Sequence, residues 1–340
     1  MNTYSSLILS ITTFVYGLAA FLYLTSWIFK KEGPGKFATW VTAVGIVGNT
    51  AGIILRWVES YQMGIGHAPL SNLYESLVFF AWVIALMYLV IEGRYKNRTV
   101  GAFSMPLAFL AMAYASLSPN VSDRIQPLLP ALKSNWLIAH VVTCFIGYAA
   151  FAIAFGVSAM YLIKRDKEDS DEGWWQIAKP ITLFLMATLF VRVLLIPQWL
   201  YSALLALPLT AAVYASALLL KRLDEKFKDK LLNLFPSSAV MDELIYQLIM
   251  FGFLFLTVGI ITGAVWANSA WGRYWGWDPK ETWSLITWFI YATLLHAKLM
   301  RGWHGRRIAY LSLVGFAAVL FTYFGVNLLP GLHSYGAMGQ

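Results

Sequence analysis

Between two apolar runs of this chain lies the segment Trp271-Gly272-Arg273-Tyr274-Trp275-Gly276-Trp277-Asp278-Pro279-Lys280-Glu281-Thr282-Trp283. It holds five aromatics, two acids and two bases, and Trp288 follows just beyond it. Aromatic faces beside fixed cations suit a large, flat, anionic ligand. Haem is such a ligand: an apolar macrocycle with two carboxylates and a metal that takes axial imidazoles. An aromatic belt at a membrane interface also collects Trp and Tyr. A belt requires neither the Gly-Trp-Asp-Pro-Lys-Glu turn at 276–281 nor that order of charges.

The chain has five histidines. His140 comes four residues into an apolar run that starts at Trp136, and His333 follows the last run by a few residues. Both are expected at the same surface as the Trp-rich loop. Two histidines on one side, from different helices, are what a six-coordinate haem needs; either one alone also reads as an interfacial polar residue. His296 lies 14 residues beyond Thr282, about 21 Å along a helix and so deep in a bilayer. Trp288, eight residues earlier, is expected on roughly the same face. No other histidine shares the depth of His296. If His296 holds a haem, the second ligand is weak or comes from another polypeptide; the plainer alternative is a histidine hydrogen-bonded across the bundle. His304, among Arg301, Arg306 and Arg307, reads as part of a solvated charge cluster. His67 precedes Pro69-Leu70-Ser71-Asn72-Leu73-Tyr74-Glu75-Ser76, a turn entering a helix. Ser71 or Asn72 suits its N-cap, and Glu75 suits the positive end of the helix dipole.

The elements that position these residues follow from composition. The 340 residues are 59% hydrophobic and 12% charged, which is an integral membrane protein rather than a soluble domain. Apolar runs of about 20 residues, enough to cross a bilayer, fall near 6–29, 37–58, 73–92, 100–117, 136–163, 180–197, 199–220, 244–267, 282–300 and 307–328. The expectation is an all-α polytopic transmembrane bundle of about ten spans, one integral domain over 1–340. Pro197 and Pro208 leave 180–220 open to a re-entrant hairpin. The net charge of +8 invites a nucleic-acid reading, but the bases flank membrane spans. Five clusters hold 19 of the 25 Lys and Arg residues, and all five fall on one side if the spans alternate. The positive-inside rule then puts both termini and the loop 268–283 outside, with inner connectors at 164–179 and 221–242. A surface helix is expected in the Pro-rich outer stretch 118–135, and an amphipathic one at 221–236. The single cysteine, Cys144, excludes a disulfide framework or a Cys-Xaa-Xaa-Cys site.

The segment Trp271–Glu281 resembles the tryptophan-rich "WWD" signature of membrane haem-handling proteins. Thr282–Trp288, Leu295-His296-Ala297, Phe321–Leu329 and Gly331-Leu332-His333-Ser334-Tyr335 continue the likeness. With Pro69–Ser76, the chain resembles the CcsA/ResC family of cytochrome c assembly proteins, strongly over 243–336 and weakly over 165–240. The resemblance implies one half of a membrane cytochrome c synthase, paired with a CcsB/ResB-type subunit. It implies that His140 and His333 ligate haem b on the outer side. It further implies that His296 ligates haem within the membrane, with its partner ligand on the other subunit.

The mechanism expected is a relay. Haem b enters from the inner side, is held by His296 and a partner ligand, then moves outward to His140 and His333 against Trp271, Trp275 and Trp277. Arg273 and Lys280 are candidates for the propionates. Trp283 and Trp288 border the site, and Asp278 with Glu281 shapes the loop or caps the following helix. An apocytochrome c with a Cys-Xaa-Xaa-Cys-His motif receives the haem, and thiol-reducing proteins act indirectly. The expected membrane is a bacterial plasma membrane, or a thylakoid if the chain is plastid-related. Two alternatives stay open: a haem exporter or chaperone without ligase activity, and a b-type electron-transfer subunit.

Overall fold

The computed structural model describes residues 4–119, 121–128, 132–168 and 232–328, and among these every regular element is helical. The α-helices are α1 (Tyr4–Phe29), α2 (Glu32–Gln62), α3 (Leu73–Tyr95), α4 (Gly101–Leu117), α5 (Asn135–Glu168), α6 (Ser238–Trp271), α7 (Pro279–Arg301) and α8 (Arg306–Tyr323). Short 3-10 turns cover Arg98–Val100 and Gly325–Leu328. Seven of the helices are long and apolar enough to cross a membrane. The eighth is α7, diluted by Thr, Ser, Trp, His and Lys residues. The expected spans at 180–197 and 199–220, the amphipathic stretch at 221–231 and His333 lie outside the described residues.

Helix α1 packs on α2 and α4, and α3 on α4 and α5. Helix α5 then joins α6 and α8, and α7 lies against both α6 and α8. The core is built from aromatic pairs such as Phe151 and Tyr291, stacked at 3.6 Å, and from indole hydrogen bonds such as Trp82 Nε1 to Thr50 Oγ1 at 2.9 Å. In a bilayer, lipid is as apolar as leucine, so such polar and close-packed contacts carry the specificity between helices.

The two ends of the bundle differ. At the basic end, Arg98 pairs with Glu92 at 3.1 Å and Lys298 with Asp242 at 2.6 Å. Lys164 Nζ donates to the Pro236 carbonyl at 3.0 Å. Glu92 is buried there and also receives the hydroxyls of Tyr23, Tyr88 and Thr39. At the opposite, tryptophan end, Asn72 caps α3 by accepting from Glu75 N at 2.9 Å. Glu75 reaches back to Ser71 N and Oγ, each at 2.8 Å, and its other oxygen takes Arg56 Nε at 2.8 Å. Ser76 joins Tyr323 by hydroxyl contact, so the start of α3 is tied to the end of α8.

In the Pro-rich stretch 118–135, Pro119 and Pro127 lie in non-helical chain, since each lacks an N–H to donate and fixes φ, while Leu132 is in 3-10 conformation. Helix α5 continues past Lys164 to Glu168, into the inner connector expected from residue 164.

Candidate functional site

Helix α5 lies against α6 along a seam of small residues. A Cβ on Gly259 would meet Cys144 Sγ at 2.5 Å, and one on Gly263 would meet His140 Nδ1 at 2.7 Å. Only glycine permits this approach. It brings the His140 ring onto the α6 backbone, where Nδ1 lies 2.7 Å from the Gly259 carbonyl. A carbonyl oxygen can only accept, so Nδ1 carries the proton. The lone pair of the neutral imidazole is therefore on Nε2, the atom free to ligate a metal. His140 is half-buried, and Trp266 stacks beside it at 6.0 Å with ring planes 16° apart.

Trp266 in turn meets Trp271 edge-on at 4.9 Å, carrying the aromatic surface up α6 to the loop. Helix α6 ends in Gly272, left-handed at φ 72°. Arg273 folds back over Gly276, where a Cβ would sit 2.8 Å from its guanidinium carbon. Trp275 and Trp277 form a T-shaped pair at 5.8 Å. Trp277 takes φ 56° and is 70% exposed. A bulky residue held in the left-handed region needs its surroundings to hold it there.

What holds it is the start of α7. Asp278 is the N-cap, accepting from Lys280 N at 3.0 Å, with Pro279 at the first helical position. Glu281 completes a capping box, and its Oε2 accepts from both Gly276 N at 2.7 Å and Asp278 N at 3.2 Å. One carboxylate thus staples both the turn and the helix start. Glu281→Ala is expected to lose about 1 kcal/mol of stability and to release the 272–278 loop, seen as faster protease cleavage there than in the wild type. An unchanged cleavage rate would show that the loop holds its shape without the staple.

Of the residues marked in the sequence, Arg273, Trp275, Trp277 and Asp278 therefore share one loop, and Trp271 ends the helix that leads into it. Lys280 stands within electrostatic reach of His140 and Cys144. Trp283 lies at the foot of the loop, packed on Phe321 at 4.1 Å. Trp288 and His296 do not share a face, contrary to the sequence expectation. Eight residues turn a helix by about 80°. Trp288 points into α6, donating Nε1–H to Thr257 Oγ1 at 2.9 Å, whereas His296 is exposed on the perimeter of α7. The two ring nitrogens of His67 each lie 2.9 Å from a backbone carbonyl, of Ala68 and Gln126, which ties the ring to the loop on either side of it.

Sequence reasoning missed Trp266 and Arg56. Trp266 is hidden in an apolar run, with no loop signal to mark it. Arg56 had a signal: it is a lone arginine inside the apolar run 37–58, and charge within a span marks a functional or paired site.

Fold and site together define an integral membrane protein that presents a histidine, a tryptophan surface and fixed cations at one end of a helical bundle. Residues 70–333 match the family model described as Cytochrome C assembly protein. Curated relatives span nearly the whole chain. The "Cytochrome c biogenesis protein CcsA" of Gloeobacter violaceus is 40% identical over 88% of this chain and 86% of its own length. Those of Porphyra purpurea and Synechococcus sp. (strain WH7803) are 37% and 38% identical over 96% and 94% of this chain, and over 97% and 93% of their own lengths. The chain belongs to the CcsA family of cytochrome c assembly proteins, which gives it a role in cytochrome c maturation.

Proposed function

We propose that the chain is the haem-handling subunit of a membrane cytochrome c synthase, moving haem b to the tryptophan end and presenting it there for covalent attachment. The observation that carries this reading is the His140 imidazole. Its Nδ1–H is committed to Gly259, its Nε2 is free, Trp266 stacks beside it, and Lys280 is within electrostatic reach. This is a positioned axial ligand next to an apolar face and within reach of a cation, which is what haem requires. Haem is cargo here, and the chain's own work is to hold, orient and release it.

In this reading His140 and His333 hold the iron at the outer site, the Trp271, Trp275 and Trp277 surface supports the ring, and Arg273 and Lys280 hold the propionates. The haem vinyl groups then face a reduced Cys-Xaa-Xaa-Cys-His motif of an apocytochrome c. Each thiol S–H adds across a vinyl double bond, so no leaving group is needed and positioning supplies most of the catalysis. His296 holds haem within the membrane together with a ligand from a CcsB/ResB-type subunit. Its exposure at the bundle perimeter favours a ligand from outside this chain over a resident electron-transfer haem between these helices. The membrane is a bacterial plasma membrane or a thylakoid, with the tryptophan loop on the outer or lumenal side.

The test is the optical spectrum of the purified complex with its partner subunit. His140→Ala, His333→Ala and His296→Ala are each expected to lower the copurifying haem, and added imidazole to restore it. A wild-type complex that carries no haem would overturn the proposal, as would variants that keep the wild-type spectrum.

A further inference from the structure

The Gly259 carbonyl that receives His140 has a second side-chain donor. Thr262 Oγ1, on the next turn of α6, lies 3.0 Å from it, and His140 Nδ1 lies 2.7 Å from it. A carbonyl oxygen has two lone pairs. Inside a helix one of them serves the amide four residues on, so the imidazole and the hydroxyl share the other. Thr262 has an alternative acceptor, the Val258 carbonyl at 2.8 Å, and a hydroxyl has one proton to give. His140 has an alternative too. The sulfur of Cys144 lies 3.6 Å from Nδ1, and sulfur accepts more weakly than a carbonyl.

Two arrangements of the same atoms follow. With the Thr262 proton on Val258, the Gly259 carbonyl is left to His140 and the Nδ1–H bond is strong. With that proton on Gly259, the carbonyl is shared and the Nδ1–H bond weakens, leaning toward Cys144. A threonine hydroxyl that returns to the carbonyl four residues back is ordinary helix behaviour. Here the other carbonyl within its reach is the one that orients the His140 imidazole. A stronger bond at Nδ1 makes Nε2 a more basic ligand, which favours ferric over ferrous iron in a bound haem.

We propose that Thr262 is a positioning residue for the haem cargo, acting through His140: by sharing the Gly259 carbonyl it moderates the imidazole, so that the held iron stays easier to reduce. The proposal rests on the haem-handling reading above and adds the residue that adjusts the grip of the outer ligand.

Thr262→Val keeps the side-chain shape and removes the hydroxyl, whereas Thr262→Ser keeps the hydroxyl. The first readout needs no haem. In the haem-free complex with its partner subunit, carrying isotope-labelled histidine, His140→Ala identifies the Nδ1–H proton resonance by its loss. That resonance is expected to move downfield in Thr262→Val and to return in Thr262→Ser. The second readout is a redox titration of the haem-loaded complex. Thr262→Val is expected to shift the equilibrium about threefold toward ferric haem, a fraction of one hydrogen bond, which is about 30 mV lower for one electron. Thr262→Ser should match the wild type. Free imidazole that rescues His140→Ala has no tie to Gly259, so there Thr262→Val should change nothing. An unmoved resonance overturns the proposal whether or not haem binds. An unchanged potential overturns it too, since the bond then does not reach the iron, and so does an equal fall in the imidazole-rescued protein. A wild-type complex without haem defeats the haem-handling reading and this proposal with it, whatever the resonance does.

Discussion

Replacing Glu75 alone by leucine is expected to destabilise the protein by about 3–5 kcal/mol. Its partner Arg56 has a side chain only 2% exposed, and among the described residues its two terminal nitrogens have no hydrogen-bond partner. Among the described residues, the charge has the Nε contact with Glu75 and the Tyr74 ring, 5.0 Å from the guanidinium carbon. Removing the carboxylate leaves a buried cation uncompensated and also frees Ser71, whose N–H and hydroxyl both donate to Glu75. The double variant Arg56→Met, Glu75→Leu should be far milder, since an apolar pair of similar volume removes the desolvation penalty together with the pairing. Thermal unfolding in detergent measures both. If the double variant loses as much as the single one, the pair is not what matters and the damage comes from the lost α3 cap.

The second large effect is expected from Gly259→Leu. Its Cβ alone would lie 2.5 Å from Cys144 Sγ, on a seam where α5 cannot retreat without losing its contacts to α6. Overpacking of this kind costs about 1–3 kcal/mol, and the upper value is expected because the clash falls on a helix pair and not on a flexible side-chain end. The stability loss is only half of the outcome. Pushing α5 away also breaks the His140 hydrogen bond to the Gly259 carbonyl, so the tautomer is no longer fixed. Haem bound at the outer site should then fall by about tenfold or more, in the range seen when the group orienting a metal-ligating histidine is lost. Cys144→Ala in the same chain makes room at Sγ and should recover part of both losses. Wild-type haem content in Gly259→Leu would mean that His140 does not depend on this seam.

The legible parts of the molecule were those written in local sequence. Helix positions followed from apolar runs, although α2 runs to Gln62 and α5 to Glu168, beyond their apolar stretches, because polar residues at helix ends still complete backbone hydrogen bonds. The Asn72 cap and the Asp278 to Glu281 turn were legible because a cap is defined within four residues. What was not legible depends on rotation and on partners distant in sequence. Trp288 and His296 part company because an eight-residue step is not a whole number of turns. Glu75 reads locally as a dipole effect, since nothing nearby in sequence shows that Arg56 lies opposite. The approach of His140 to Gly259, 119 residues away, needs both helices placed before it exists.

The modest apolarity of α7 has a consequence for how the chain is made. A helix with Lys280 and Glu281 in its first turn, Lys298 and Arg301 in its last, and Thr, Ser, Trp and His between them partitions less readily from the translocon into lipid on its own than an all-apolar span does. Helix α6, immediately before it, is strongly apolar and joined to it by a loop of only seven residues, 272–278. The two therefore enter the bilayer as one hairpin, with α6 carrying α7. The tryptophan loop is the bend of that hairpin, so the Glu281 staple that shapes the loop in the folded protein also sets the turn between the two inserting helices.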